Sequence, residues 1–186
     1  MHFTVEAQEL CRPWLQEGSI AIDATAGNGF DTVFLAQCVG GNGKVFAVDL
    51  QPSAVMRTQE RVEALGLSER VECIQGDHAE LGQMLTDRNC VGIDCAMFNL
   101  GYLPHGDKSI VTRPASTLRA LQSVDSVLVV GGIVSLLVYV GHEEGQEEGR
   151  VVRRWVEEQG ERYEVKCWTD EGNIKSPTLW FLRKRG

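Results

Sequence analysis

The sequence predicts an α/β fold: a Rossmann-like, doubly wound sheet of seven mostly parallel strands, with an antiparallel last strand and helices on both faces. Short segments rich in β-branched residues alternate with segments of helical pattern along most of the chain. A glycine turn joins the first predicted strand to a helix, and only a loop separates the last two strands, which predicts a hairpin. The predicted strands span residues 20–25, 45–49, 71–75, 91–98, 133–140, 162–169 and 178–184.

The length and composition fit a single domain over residues 1–186. Of these residues 43% are hydrophobic, which suffices for a full core. The longest apolar run, residues 127–140, is interrupted by Gly131 and Gly132, so it predicts a helix end, a turn and the fifth strand instead of a membrane span. The N-terminus lacks the pattern of a secretory signal, so we expect a cytoplasmic protein with no membrane association.

Two segments outside the predicted sheet have the pattern of surface helices. Residues 3–15 carry Val5, Leu10 and Trp14 among polar residues, which predicts an amphipathic helix that either covers a ligand pocket or only packs on the sheet. Residues 151–159 predict a second helix, on which arginines are offset by glutamates.

The first strand runs into a glycine turn that opens a helix. Gly27 and Gly29 allow backbone N–H groups to approach a ligand at the helix N-terminus. A dinucleotide site requires another glycine or alanine three residues later, where this chain has Thr32. Asp23, at the strand end, would repel a diphosphate but attract the cationic amino-acid group of S-adenosylmethionine. The alternative is that Asp23 only caps the helix.

The ends of the second and third strands supply the other groups that a nucleoside cofactor requires. Asp49 suits the two hydroxyls of a ribose, and Gln51 follows it closely. Asp77 could accept a hydrogen bond from an adenine amino group, with His78 along the base, although Asp77 could equally cap the next helix and His78 could be structural. The candidate cofactor-binding residues are Asp23, Thr25, Gly27, Asn28, Gly29, Asp49, Gln51, Asp77, His78 and Asn99.

The fourth strand ends in a segment suited to an amine acceptor. Asn99 and Tyr102 place an amide and a ring, with backbone carbonyls between them, where a transferred methyl group would meet its acceptor. The Asn-Leu-Gly-Tyr run resembles the Asn-Pro-Pro-Tyr motif of amino-group methyltransferases. Leu100 and Gly101 replace the two prolines, which leaves the type of acceptor open.

Motifs spread over nearly the whole chain resemble one family, the small class I methyltransferases known as rRNA methylases. The chain is similar in particular to those that methylate the 5-aminomethyl group of the tRNA wobble uridine. The resemblance implies S-adenosylmethionine as the donor, the tRNA anticodon loop as the substrate, and 5-methylaminomethyl-2-thiouridine at position 34 as the product. A departure is residues 175–177, which have one proline where a pair is expected. The motifs lie at residues 23–29, 48–49, 76–78, 98–104, 107–112 and 139–145.

In the catalytic mechanism that we expect, the enzyme holds a neutral amine, because an ammonium group is not nucleophilic. Carbonyl oxygens around Asn99 and Leu100 hold the amine, and Tyr102 stacks on the pyrimidine. Asp107 or His142 then carries the proton outward. Asp107 is otherwise a plausible turn carboxylate.

Cysteine spacing and net charge limit the remaining function classes. The six cysteines show neither the spacing of a zinc site nor that of an iron–sulfur cluster, so we expect no metal. Cys95 could be a nucleophile but lacks an activating pattern. The net charge of −8 argues against strong nonspecific binding to nucleic acid. We expect basic side chains near the pocket mouth that could still grip an anticodon stem and loop: Lys108, Arg113, Arg119 and residues 183–185. A solvated face suits the terminal run equally well.

The sequence is compatible with alternative functions. An rRNA base or a small-molecule amine could replace the tRNA acceptor. A nucleotide-binding regulatory protein without catalysis is the more distant alternative, because a pure binding module needs no acceptor-side loop. The sequence is compatible with a monomer or a homodimer.

Overall fold

A computed structural model describes residues 3–101, 111–141, 143–170, 172–173 and 175–186. Six strands run in the same direction, and the seventh runs antiparallel to them between the fifth and the sixth. The strands are β1 (Ile20–Asp23), β2 (Lys44–Asp49), β3 (Val71–Gln75), β4 (Ile93–Leu100), β5 (Leu128–Val138), β6 (Tyr163–Trp168) and β7 (Thr178–Lys184). Their order in the sheet is β3-β2-β1-β4-β5-β7-β6. The predicted fold class and its antiparallel last strand are therefore confirmed.

Helices cover both faces of the sheet. Strand side chains alternate between two cores, so Phe98 and Trp180 pack on one face, while Met97 and Phe181 pack on the other. The first core also takes side chains from α4, α5 and α6, and the second takes them from α1, α2 and α3. The helices are α1 (Phe3–Cys11), α2 (Phe30–Val39), α3 (Pro52–Ala64), α4 (Leu81–Thr86), α5 (Pro114–Val127) and α6 (Glu143–Glu158). None of these described helices is long and apolar enough to cross a membrane.

The buried face of α1 differs from the one that the apolar residues suggested. Phe3, Ala7 and Cys11 point into the core, whereas Val5 is 57% exposed and Trp14 lies beyond the helix in a short 3-10 turn. Residues four apart share one face of a helix, and the small Ala7 and Cys11 form that face. The prediction counted large apolar side chains and left out the small Ala7 and Cys11, so it placed the buried face of α1 wrongly.

Strand β5 begins at Leu128, earlier than predicted, and its first residues pair irregularly with β4. Ile93 pairs with Leu128 and Cys95 pairs with Ile133, so several residues of β5 bulge out of the ladder. Gly131 lies in this bulge with a φ of 83°, a conformation that glycine adopts without strain. The turn predicted from the two glycines thus becomes an irregular segment inside the strand.

The direction of β7 places the basic C-terminal run away from the carboxyl ends of the parallel strands. Thr178 pairs with Val138 at the end of β5, whereas Arg183 pairs with Ile133 nearer its start. The Lys184 ammonium donates to the carbonyl of Leu128, the first residue of β5, at 3.0 Å. The expectation that residues 183–185 lie near the pocket mouth is therefore wrong, because an antiparallel strand carries its last residues to the opposite edge.

Candidate active site

A cavity of about 1000 Å³ lies at the carboxyl edge of β1 to β4. The chain crosses from β1 to β2 on one side and from β4 to β5 on the other, so the loops after β1 and β4 diverge and leave a crevice between them. Thr4 of α1 and Ser116 of α5 also line this cavity. Its volume lies at the upper end of the range for small-molecule and cofactor sites.

The glycine turn between β1 and α2 has a backbone that other residues adopt only with strain. Gly27 and Gly29 have φ values of 56° and 78°. A Cβ atom on Gly29 would lie 3.0 Å from the Cα of Thr58, so α3 approaches this turn too closely for a side chain. Arg61 of α3 donates from Nε to the Asn28 carbonyl at 2.8 Å, which fixes the turn further.

The carboxylate of Asp49 joins the turn to the end of β2. Its Oδ2 accepts from the Gly27 N–H at 2.8 Å and its Oδ1 from the Gln51 N–H at 2.9 Å. Asp49 and Gln51 line the cavity beside Leu50. Each carboxylate oxygen has a second lone pair, so Asp49 can still accept from the hydroxyls of a ribose.

Asp77 and His78 form the part of the wall that follows β3. Asp77 Oδ1 accepts from the Ala79 N–H at 2.9 Å, so this carboxylate caps a short 3-10 turn while facing the cavity, and the two proposed roles are compatible. His78 packs edge-on against Phe98, with ring centroids 6.2 Å apart. Burial lowers the pKa of His78, which favours the neutral ring.

The Nε2 atom of His78 is buried and has no hydrogen-bond partner within the described part of the chain. Such atoms are rare in folded proteins, because an unpaired buried polar group is costly. His78 lines the cavity. The rest of the His78 side chain forms the cavity wall together with Asp49 and Asp77, so the residues present fit a nucleoside cofactor.

Asp23 is fully buried and does not line the cavity. Its Oδ2 accepts from the Thr32 hydroxyl at 2.6 Å, and its Oδ1 accepts from the Thr25 N–H at 3.3 Å. Burial, together with the nearby Asp31 carboxylate, raises the pKa of Asp23 to about 7. Asp23 therefore does not lie where it could contact a cationic group of a ligand. Its side chain stabilises the segment around the glycine turn through Thr25 and Thr32.

The acidic side chain on the cavity wall near α2 is Asp31, which sequence reasoning missed. It accepts from the Gln8 amide of α1 at 2.6 Å and from the Asn99 side-chain amide. Burial raises the pKa of Asp31, and these two hydrogen bonds oppose the rise. An acidic residue in the first turn of a helix that follows a glycine turn was the available signal.

Asn99 is held from two directions. Its backbone N–H donates to the Thr25 hydroxyl at 2.7 Å, and its side-chain Nδ2 donates to Asp31. A carboxylate can only accept, so Asp31 determines which way the amide faces. Oδ1 of Asn99 is then the acceptor that the cavity can use.

The far wall of the cavity is supported by a buried glutamate of α6. Glu148 is 1% exposed and accepts from the hydroxyls of Thr112 and Thr117, each at 2.6 Å. Thr112 lines the cavity, and its N–H donates to the Gly101 carbonyl at 2.9 Å. Glu148 ties α6 to the segment that closes the acceptor side, and nothing in its local sequence marked it.

The predicted site residues fall into three groups. Gly29 and Asp23 lie behind the wall, and Tyr102, Asp107 and His142 lie outside the described residues. The remaining predicted residues line the cavity together: Thr25, Gly27, Asn28, Asp49, Gln51, Asp77, His78 and Asn99.

Metal ligation and thiol chemistry gain no support from the described residues. No group of three or more His, Cys, Asp or Glu side chains among them could hold a metal ion. Cys95 is fully buried. Its contact with the Cys11 thiol and its burial raise its pKa well above the ordinary value, so it is a poor nucleophile.

Comparisons with known proteins show the family of this chain. The family model described as "Putative rRNA methylase" matches residues 45–184. A tRNA (mnm(5)s(2)U34)-methyltransferase, chloroplastic, from Arabidopsis thaliana is 38% identical over 146 residues, which are 74% of this chain. The alignment spans 53% of that relative, so the chain accounts for about half of its length.

Two solved structures share the whole architecture. An rRNA methylase of Clostridium thermocellum, titled "putative", has a TM-score of 0.91 and 34% identity, covering 97% of this chain and 96% of that one. A methyltransferase of Streptococcus mutans, also titled "putative", was solved in complex with SAH and has a TM-score of 0.85 and 33% identity. That alignment covers 97% of each chain.

Proposed function

The chain belongs to the rRNA methylase family, and on that premise we propose that it is a methyltransferase that uses S-adenosylmethionine to methylate an RNA amine. The acceptor that we propose is the 5-aminomethyl group of uridine or 2-thiouridine at the wobble position of tRNA. The name of the Arabidopsis relative supports this substrate. Because that relative is chloroplastic, a cytoplasmic location for this chain stays a prediction.

The cavity residues support S-adenosylmethionine as the donor. When bound, the donor supplies a methyl group on a positively charged sulfur, which a nucleophilic nitrogen can attack. In this proposal Asp49 accepts from the ribose hydroxyls, Asp77 accepts from the adenine amino group, and the His78 ring lies along the base; all three residues line the cavity. The Streptococcus neighbour was solved with SAH, the demethylated product of this donor.

The observation that carries the amine acceptor is the fixed amide of Asn99. Asp31 engages Nδ2, so Oδ1 can accept an N–H of the substrate amine. The Leu100 carbonyl, which we expected to share this task, accepts from the Tyr139 N–H at 2.9 Å. In this proposal the side chain of Asn99 therefore orients the amine to a greater extent than the sequence suggested, and the Leu100 carbonyl to a lesser extent.

The amine must lose a proton before it attacks the methyl group. A second positive charge beside the sulfonium is unfavourable in a buried site, which favours binding of the neutral amine. The candidates for carrying the proton outward, Asp107 and His142, stay predictions, as does stacking of Tyr102 on the pyrimidine.

An rRNA base is the second candidate acceptor, because the matching family model is described by that substrate. A mixture of tRNA and ribosomal RNA offered to the same protein distinguishes the two.

The decisive experiment is nucleoside mass spectrometry of tRNA that carries 5-aminomethyl-2-thiouridine, after incubation with the protein and S-adenosylmethionine. We expect a gain of one methyl group on that nucleoside and none in tRNA that lacks the aminomethyl group. A methyl group that appears only in ribosomal RNA would contradict the proposed acceptor.

The Asn99→Ala variant tests the role of the amide. We expect kcat to fall by about 100-fold while the affinity for S-adenosylmethionine changes little, because the lost contact orients only the acceptor. The Asp49→Ala variant is the matched control, in which cofactor affinity should fall first. Equal losses of turnover and cofactor affinity in Asn99→Ala would rule out the assignment.

A further inference from the structure

A second cavity, of about 380 Å³, lies between α6 and the adjoining ends of β5 and β7. We refer to it as the α6 groove. None of the described residues that line it carries a carboxylate, although the chain has 26 acidic and 18 basic residues and a net charge of −8. The lining residues are Val138, Val140, Gln146, Gly149, Arg150, Arg153, Thr178 and Trp180.

The two arginines of the α6 groove are available for a ligand. The Arg153 guanidinium lies 5.6 Å from the centroid of the Trp180 ring, and no carboxylate of a described residue pairs with it. Arg150 pairs with Glu147 at 2.6 Å, but these side chains are 72% and 55% exposed, so water screens the pair and its strength is small. Their charge is therefore only weakly neutralised.

The α6 groove lies directly beside the candidate active site. Val138 and Val140 line the groove, and Tyr139 between them lines the large cavity. Side chains alternate along an extended chain, so this single segment separates the two spaces. Thr178, at the start of β7, pairs with Val138 and places the groove at the same edge of the sheet as the cavity. A polymer that inserts one unit into the cavity must pass this edge.

The chemistry of the lining matches a phosphodiester. Two guanidinium groups, an amide and a hydroxyl can all donate hydrogen bonds to phosphate oxygens, and the planar guanidinium binds phosphate through two parallel bonds. The volume is that of a small-ligand site, so it suits one phosphate with its sugar.

We propose that the α6 groove binds a backbone phosphate of the RNA substrate next to the nucleotide that enters the active site. That the ligand is RNA rests on the proposed function. Arg150 and Arg153 hold the phosphate, and Trp180 holds the Arg153 guanidinium in place. This adds α6 to the candidate RNA contacts, whereas the terminal basic run lies at the opposite edge of the sheet.

The test compares three proteins by their binding to an anticodon stem-loop RNA that carries 5-aminomethyl-2-thiouridine, over a range of salt concentrations. They are the wild type, the double variant Arg150→Gln with Arg153→Gln, and the control Arg154→Gln. Arg154 lies on the same helix, but it pairs with Glu158 at 2.9 Å and does not line the groove.

We expect the double variant to lose about tenfold in affinity for the RNA. The slope of log affinity against log salt should fall by about one, because one phosphate contact is lost. Arg154→Gln should behave as the wild type. Affinity for S-adenosylmethionine should be the same in all three proteins, which shows that the double variant is folded. The single variant Arg150→Gln changes only an exposed side chain and should show part of the loss.

Methyl transfer is measured in the same samples, so that failure of the α6 groove proposal can be distinguished from failure of the proposed function. Methyl transfer by all proteins with unchanged RNA affinity in the double variant would overturn the groove and leave the function intact. Arginine-dependent RNA binding without methyl transfer would support the groove and contradict the acceptor. Equal affinity for uridine 5′-monophosphate and for the stem-loop would overturn an RNA ligand in favour of a free nucleotide.

Discussion

The Asn99 amide is oriented by its neighbours and not by its own backbone alone. Thr25 holds the main chain and Asp31 holds the side-chain nitrogen, while Gln8 of α1 holds Asp31 in turn. Three segments that are distant in sequence thus determine which atom faces the substrate. The candidate active site depends on these contacts as much as on the residue that the motif named.

The Asp31→Asn variant should lower kcat by about tenfold or more, because an amide at position 31 can donate as well as accept and no longer fixes the Asn99 side chain. The measurement is steady-state turnover with separate KM values for RNA and cofactor. Gln8→Leu is the matched comparison and should cost less, since it removes the other hydrogen bond of Asp31 and leaves Asp31 in contact with Asn99. An unchanged kcat in Asp31→Asn would contradict the positioning role.

The Asp23→Asn variant should change how stability depends on pH. The pKa of Asp23 is about 7 in the folded chain, above its ordinary value of 3.8, so the folded state binds the proton more tightly than the unfolded state. The contribution of Asp23 to the free energy of unfolding of the wild type should therefore fall as pH rises from about 4 to about 7. The variant lacks this group, so its stability relative to the wild type should increase across that window. Urea unfolding at pH 5 and pH 8 measures this, and a difference that does not depend on pH would contradict it.

At the scale of elements, α6 contributes side chains to the surroundings of both cavities, from opposite sides of the helix. One side presents Glu148 to Thr112 and Thr117 under the acceptor wall, and the other presents Arg150 and Arg153 to the α6 groove. Gly149 permits this close packing, because a Cβ there would lie 3.0 Å from Val140. The helix that looked like a charged surface element thus supports the site.

The Glu148→Ala variant should lower the free energy of unfolding by about 3 kcal/mol. The change removes a buried acceptor from two threonine hydroxyls and leaves a void. Its neighbour Glu147 forms only an exposed ion pair, so Glu147→Ala should cost less than about 0.5 kcal/mol. Urea unfolding at neutral pH compares the two. Equal costs would show that the buried contacts do not stabilise α6.

At the scale of the whole molecule, the large cavity takes its wall from both halves of the sheet. Loops after β1, β2, β3 and β4 contribute to it, together with Thr4 of α1 and Ser116 of α5. A ligand that fills this cavity contacts elements from most of the fold. Binding should therefore stabilise the domain as a unit.

S-adenosylhomocysteine at a concentration 100 times its Kd should add about 2.7 kcal/mol to the free energy of unfolding. For a chain of 186 residues this corresponds to a rise in Tm of roughly 5–10 °C. Thermal unfolding with and without the ligand measures the shift. Asp49→Ala should lose most of it, and Arg150→Gln with Arg153→Gln should keep it. A wild type with no shift would contradict the cofactor assignment.

The strands, the glycine turn, the hairpin and the family follow from the sequence by itself. Alternating apolar residues, β-branched residues and glycines act over a few positions, so their pattern is readable without the fold. The carboxyl ends of parallel strands meet at one edge, and this rule alone brought Asp49, Asp77 and Asn99 to one wall.

Only the tertiary structure decided which of two nearby carboxylates faces the cavity, where the basic residues lie, and what supports the acceptor side. Asp23 turns inward to Thr32 while Asp31 faces the cavity, because side-chain direction depends on packing around the turn. The terminal arginines lie at the far edge because β7 is antiparallel. Glu148 and Arg153 gain their roles from contacts with segments far away in sequence, and no local pattern encodes such contacts.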